Sequence, residues 1–224
     1  MCSSDLVAPC LARAVPVEIV TVDRGPVVEI GLVDIDGSVA SDSNYVEASP
    51  VANMNYELHE TPLGLLCEIV EQIIETESPI HTSEVTTRLR SAWGLQRSGA
   101  RIEAVVTRVV DLICSKGEVI QEGAFLVNQK SAVILRNRQN VQSAGLRKPE
   151  MLPPQEIASG IKQVVKNNLG ATDDEIVTSI SRMFGFKATS STLRKVISDV
   201  IERLLVDGDL VREESLIVEM ANSN

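Results

Sequence analysis

The feature that most constrains the fold is an internal repeat, in which residues 81–127 align without a gap on residues 172–218. The offset is 91 residues, and eight of the 47 aligned pairs are identical. Apolar positions nevertheless meet apolar positions, and two glycines of the first copy, Gly94 and Gly117, meet glycines in the second. Self-similarity at a fixed spacing is typical of a duplicated structural unit. The chain is therefore predicted to contain two copies of one small fold.

The first copy begins with helical periodicity. Apolar side chains recur at three- and four-residue spacing from Leu63 to Ile74, which predicts a helix over about residues 62–75. Thr61 and Pro62 are suited to the N-cap and the first helical position.

Two further helices and a hairpin are predicted downstream. The second helix is capped by Thr82 or Ser83 and ends at Trp93-Gly94, and the third opens at Ser98 and closes at Lys116-Gly117. The following stretch "EVIQEGAFLV" is typical of two short strands around a turn. Three helices and a hairpin in this order predict a winged helix-turn-helix. The predicted fold is mainly α with small β wings, built from two tandem winged helix-turn-helix modules.

The remaining segments suggest four regions. Residues 1–61 form an acidic, partly disordered stretch with a candidate hairpin within residues 16–34; residues 62–137 form the first module, and residues 154–220 the second. Residues 138–153, rich in proline and polar side chains, are predicted to be a linker.

Charge and cysteine content narrow the class of protein. The net charge is −10, but residues 1–61 hold ten acidic and two basic side chains, whereas residues 62–150 hold ten acidic and eleven basic ones. The overall acidity therefore does not exclude a nucleic-acid partner for the first module. The four cysteines are scattered, which favours neither a zinc site nor disulfides and indicates a reducing cytoplasm. No secretion signal or membrane-spanning apolar run is present, so we expect a cytoplasmic protein without a membrane partner.

The first six residues, MCSSDL, have a separate interpretation. Their codons, with a GTG start, can spell the end of a widely used sequencing adapter. We interpret residues 1–6 as an artefact and expect the chain to be the C-terminal part of a longer protein. The alternative is an ordinary disordered N-terminus.

Several segments carry a resemblance to a known family: "ELHETP" at 57–62, "ESPIHTSEVTTRLRSAWGLQRSGARI" at 77–102, "GAFLV" at 123–127 and "LPPQEI" at 152–157. Together they resemble the uncharacterised C-terminal domain of very large bacterial helicase-like proteins. In that family the domain follows a superfamily I helicase core and a small domain similar to the very-short-patch repair endonuclease. The resemblance covers roughly residues 57–218 and implies a DNA-associated parent protein, whose catalytic motifs would lie upstream.

The repeat separates residues of the fold from candidate functional residues. Arg97, Arg101 and Arg108 align with Ala188, Thr192 and Asp199, so the fold does not require these arginines. They lie before and along the exposed face of the predicted third helix, where a helix N-terminus and nearby cations suit a phosphate group. Lys116 would lengthen this basic strip. The alternative is a solvated face in which Arg101 and Arg108 pair with acids such as Glu103 and Asp111.

Two other conspicuous side chains are better explained by structure. His81 has no cysteine or second histidine at ligand spacing, which favours a structural role at the start of a helix over a metal site. Trp93 aligns with Phe184, which favours a core anchor over a platform for base stacking.

Two functions remain open. The first is a non-catalytic region that binds or positions duplex or forked DNA for upstream helicase and nuclease domains of the same polypeptide. The second is a protein-interaction module that docks on those domains or on another partner. No nucleophile–base pair, carboxylate pair or phosphate loop falls on the predicted elements, so we expect this segment to be neither an enzyme nor a cofactor binder.

Overall fold

A computed structural model of the chain describes residues 44–52 and 55–220. The adapter-like residues 1–6, the hairpin predicted within residues 16–34 and most of the acidic stretch predicted to be partly disordered lie outside these ranges. The described residues all belong to one compact unit.

The described residues form two series of three α-helices, each followed by a β-hairpin. The helices of the first series are α1 (Leu63–Glu77), α2 (Thr82–Ala92) and α3 (Ala100–Ser115), and its strands are β1 (Ile80–His81), β2 (Val119–Glu122) and β3 (Phe125–Asn128). The second series comprises α4 (Pro154–Asn168), α5 (Asp173–Met183), α6 (Ser191–Val206), β4 (Leu210–Glu213) and β5 (Leu216–Glu219). The prediction of a mainly helical chain with small β-sheets is confirmed.

The structure repeats as regularly as the sequence. Each helix and each hairpin strand of the first series recurs in the second with the same length and an offset of 91 residues. The correspondence extends to α1 and α4, which precede the aligned stretch. It also holds in the backbone, because Gly94 and Gly185 follow equivalent helices with φ values of +66° and +87°. Such a left-handed conformation is one that glycine adopts without steric cost.

Two small antiparallel sheets close the two series. In the first, the strand order is β1-β3-β2, and Ile80 lies opposite Leu126. In the second, β4 pairs with β5, and an isolated bridge joins Ala171 to Ile217. These two residues occupy the positions equivalent to Ile80 and Leu126, so each copy anchors the residue before its second helix on the hairpin.

The helix starts differ from the predicted ones by one or two residues. The N-cap of α2 is His81, whose Nδ1 accepts a hydrogen bond from the Ser83 backbone N–H at 3.1 Å. The predicted caps of the other two helices are engaged elsewhere: the Thr61 hydroxyl donates to the Glu57 carbonyl, and the Ser98 hydroxyl lies 3.5 Å from the Glu103 carboxylate.

Each copy has its own apolar core. In the first, α1, α2 and α3 pack together through fully buried side chains such as Val70, Val85 and Val109. In the second, Ile161 and Ile180 play this part, and Leu135 from the connecting segment joins the same cluster. Burying each such side chain stabilises the fold by about 1.5–3 kcal/mol.

The segment between the two copies has secondary structure of its own. Residues 138–153, predicted to be a linker, contain two short 3-10 helices, Ala144–Arg147 and Pro149–Met151. Residues 44–52 pack nearby: Tyr45 forms a small buried cluster with Val141 and Leu146.

Two buried carboxylates, Glu77 and Glu156, contact residues 44–52 and the connecting segment respectively. Glu77, at the end of α1, has no exposed surface. Its carboxylate accepts hydrogen bonds from Arg88 Nε at 2.6 Å and Arg88 Nη2 at 2.8 Å. The Tyr45 hydroxyl at 2.7 Å and the Ala48 backbone N–H at 2.9 Å donate to the same carboxylate. Glu77 therefore fixes residues 44–52 on the first copy.

A second buried carboxylate joins the connecting segment to the second copy. Glu156, near the start of α4, is fully buried and lies 2.5 Å from Arg136 Nη2 and 2.9 Å from Arg138 Nη2. The same two guanidinium groups stack over the Tyr45 ring at 4.5 and 4.7 Å. Burial, followed by the nearby carboxylate of Glu77, raises the pKa of the Tyr45 phenol far above its usual value. Tyr45 is thus a neutral centre between the two charged clusters.

None of the helices in the described part of the chain is both long enough and apolar enough to cross a membrane.

Candidate nucleic-acid interface

Helix α3 presents one face to the core and another to solvent. Ile102, Val106, Val109 and Ile113 are buried against the rest of the first copy. Their spacing of three and four residues leaves the opposite side of the helix exposed.

The three arginines predicted to contact phosphate are exposed. Arg97 lies in the turn before α3, and Arg101 and Arg108 lie on α3 two helical turns apart. None of the three forms a hydrogen bond or an ion pair with any residue that the structure describes. The alternative pairing with Glu103 and Asp111 is therefore not formed. These three guanidinium groups, which we call the arginine face, are available to an external anion.

Lys116 differs from the arginine face. Its Nζ lies 2.5 Å from the Glu71 Oε1 on α1, and this hydrogen bond raises the pKa of the lysine. Both side chains are accessible to solvent, so the pair is weak and a ligand can compete for it.

The start of α3 has no side-chain cap, and its first turn contains one acid, Glu103. Its N-cap is Gly99, which has no side chain to accept a hydrogen bond from the first turn. In the second copy, the Ser190 hydroxyl caps α6 by accepting from the Leu193 backbone N–H at 3.1 Å. In α3 the equivalent N–H, that of Ile102, donates to the Gly99 carbonyl at 2.9 Å. The first turn of α3 adds a positive partial charge close to Arg97 and Arg101 in sequence.

Two cations of the second copy form ion pairs within the fold. Arg194 on α6 lies 2.6 Å from Asp174. Arg212 on β4 lies 2.6 Å from Asp173, and this hydrogen bond lowers the pKa of Asp173. Arg194 and Arg212 are thus paired within the fold, whereas Arg182, Lys187 and Lys195 of the second copy are exposed and have no side-chain partner among the described residues.

The structural interpretations of His81 and Trp93 are confirmed. His81 caps α2, and its ring meets Phe125 edge to face with a centroid separation of 5.1 Å. Trp93 is 8% exposed, and its indole N–H donates to the Tyr56 carbonyl at 3.0 Å. Trp93 is therefore a core side chain and is not free to stack on a base.

One group of side chains could approach a metal ion. The ligand atoms of Glu57, His59 and Glu60 lie within 4.8 Å of one another around a short 3-10 helix. Both carboxylates are exposed, and exposed acidic groups of this kind are common without an ion. The group is separate from the arginine face in sequence.

The buried charged clusters are the part of the site region that sequence reasoning missed. Glu77, Arg88 and Glu156 align with Asn168, Ser179 and Leu65 in the repeat, so they do not belong to the duplicated core. They join α1 to α2 and the connecting segment to α4.

Comparison with known proteins gives a partial match. A family model described as "Protein of unknown function (DUF3320)" matches residues 56–104, which include α1, α2 and the start of α3. Arg97 and Arg101 lie within this match, and Arg108 lies beyond it. The search of curated proteins found no match, and the search of solved structures found none either. The chain is therefore similar to an uncharacterised domain over this stretch.

Proposed function

We propose that this segment is a non-catalytic DNA-binding region that positions duplex or forked DNA for helicase and nuclease domains of a larger polypeptide. In this proposal the two copies are winged helix-turn-helix modules, and the first makes the contact. The order of helices and hairpin supports the winged-helix assignment.

The observation that carries the proposal is the arginine face. Arg97, Arg101 and Arg108 are exposed and unpaired among the described residues. Arg97 and Arg101 lie at the start of α3, which has no side-chain cap, and Arg108 lies two helical turns further along. A cation that the fold neither pairs nor buries is suited to a phosphate. The hairpin tip of the first copy carries no lysine or arginine between Gln121 and Ala124, so we assign the contact to α3 and not to the hairpin.

Fluorescence anisotropy of a labelled duplex and a labelled fork, titrated with the full chain at low salt, tests the proposal. Arg97→Glu with Arg101→Glu should weaken binding by more than about tenfold, because attraction to phosphate becomes repulsion. The matched control is Arg182→Glu with Lys187→Glu, which changes the net charge equally at two exposed, unpaired cations of the second copy. An equal loss in the control would contradict a localised contact, as would no binding by the wild type.

The second candidate is a protein-interaction module, favoured by the acidic hairpin turn of the second copy. Glu213 and Glu214 are exposed there, and their charge disfavours contact with phosphate. Such a turn is suited to a protein partner, for example the upstream domains of the same polypeptide. This function predicts that the Arg97 and Arg101 reversal leaves association with those domains unchanged.

A further inference from the structure

An open groove of about 420 Å3 lies between helices α2 and α3 of the first copy. We call it the α2–α3 groove. Hydroxyl groups of α2, including Thr82, Ser83 and Thr86, line one wall. Glu103 and Asp111 line the other wall, two helical turns apart on α3. The groove is therefore polar and carries two carboxylates.

These carboxylates have no cationic partner among the described residues. Glu103 is approached by the Ser98 hydroxyl at 3.5 Å, and the Asp111 side chain forms no hydrogen bond or ion pair with residues 44–52 or 55–220. Arg90 also lines the groove, but its Nη1 donates to the Gln96 carbonyl at 3.2 Å, and its buried Nε has no partner. The groove thus contains two carboxylates and one guanidinium, and that guanidinium donates to the Gln96 carbonyl, not to either carboxylate.

The second copy shows what the same position looks like with a cation in it. The residues equivalent to Ser83 and Glu103 are Asp174 and Arg194. They form an ion pair of 2.6 Å that joins α5 to α6. A guanidinium therefore fits between these two helices at one end of the groove.

The other end of the groove follows the same pattern. The residues equivalent to Asp111 and Gln121 are Glu202 and Arg212. Arg212 lies 3.5 Å from Glu202 and 2.6 Å from Asp173. The second copy thus supplies an internal cation at each end, whereas the first copy carries Glu103 in the place of Arg194 and keeps an acid, Asp111, in the place of Glu202.

We infer that the α2–α3 groove binds the lysine or arginine side chains of a basic polypeptide segment. The carboxylates of Glu103 and Asp111 would pair with these cations, and the hydroxyls of α2 would accept further N–H groups. Arg101 and Arg108 do not line the groove. Phosphate would be repelled by the two carboxylates, so this binding surface is distinct from the arginine face and goes beyond the proposed function.

Anisotropy of a short fluorescein-labelled peptide of alternating arginine and glycine, titrated with the full chain at low salt, tests the inference. Wild type should bind saturably. Glu103→Gln with Asp111→Asn should weaken binding by roughly tenfold, the loss of two partly screened charge contacts. The matched control is Glu68→Gln with Glu75→Gln, two exposed and unpaired acids of α1 in the same copy, and it should leave binding unchanged.

A second variant fills one end of the groove with an internal ion pair. Ser83→Asp with Glu103→Arg installs the ion pair of the second copy and should weaken peptide binding by roughly tenfold, with the thermal unfolding profile confirming that the chain remains folded. Wild-type affinity in this variant would overturn the inference. So would equal losses in the α1 control, or a wild-type chain that does not bind the peptide.

Discussion

At the residue scale, the buried carboxylate of Glu77 is a central contact of the first copy. Glu77→Gln removes the nearest of three carboxylates around the buried Arg88 guanidinium, at Nε and Nη2 distances of 2.6 and 2.8 Å. It leaves Glu84 and Glu47 at 3.3 and 3.5 Å. A hydrogen bond to a charged group contributes about 1.5–3 kcal/mol, so the free energy of unfolding should fall by about that amount. Urea titration measures it. Glu75→Gln, on the exposed side of the same helix, should stay within about 0.5 kcal/mol; comparable losses in both variants would contradict the role of Glu77.

Glu77 lies just beyond the predicted end of the first helix, so its burial was not predicted, although the sequence carries a signal for it. It continues the apolar spacing of Val70, Ile73 and Ile74 along α1, and an acid at a core position of a helix indicates a buried partner. Tyr45 and Arg136 come from segments without periodicity. Their burial results from contacts distant in sequence, which no local pattern predicts.

His81 should give the stability a pH dependence. Partial burial lowers the pKa of its imidazole from the usual 6.5, against the opposing effect of the Glu84 carboxylate. The unfolded state therefore takes up a proton first as the pH falls, and stability is lost from about pH 7 downwards until the folded-state pKa is passed. Protonation of Nδ1 would also remove the acceptor that caps α2.

His81→Asn tests this dependence because asparagine is a good N-cap without a titrating ring. The interval from about pH 8 to about pH 5 spans the usual titration range of histidine. The free energy of unfolding lost over this interval should be smaller in the variant than in the wild type. Urea titration at both pH values measures it, and an unchanged loss would assign the effect to other groups.

At the element scale, the sequence predicted more than at the residue scale. The three helices and hairpin of the first copy, and their recurrence in the second, follow from apolar periodicity and from Gly94 and Gly117 in register. The exact starts did not follow, because several side chains compete for each cap. His81 takes the cap of α2 although Thr82 and Ser83 are common cap residues.

The turns after α2 and α5 make a matched test. Gly94→Ala should destabilise by about 1–2 kcal/mol, the cost of a left-handed conformation for a residue with a Cβ. Gly185→Ala should cost more, because its Cβ would also lie 2.7 Å from Asn137 Oδ1 and 2.9 Å from the Gln139 backbone nitrogen. Gly94 has nothing within 4 Å. Thermal unfolding of the two variants measures the difference. Equal losses of stability would contradict the expected clash and mean that Asn137 and Gln139 move away from the added methyl group.

At the scale of the whole molecule, one duplicated fold carries two different surfaces. The sequence alone indicated this difference, because Arg97, Arg101 and Arg108 have no cationic counterpart in the second copy. It did not indicate that the segment between the copies would be fixed by Glu156 and Arg138. A composition typical of a linker does not reveal buried ion pairs, which depend on contacts between distant segments.

The most direct test of the account is the salt dependence of DNA binding by the full chain. Three phosphate contacts predict a slope of log K against log salt of about −3, since each contributes about −0.9. Changing Arg97, Arg101 and Arg108 together to glutamine should bring the slope close to zero and remove most of the low-salt affinity. A wild-type slope that the triple variant leaves unchanged would contradict DNA binding through the arginine face.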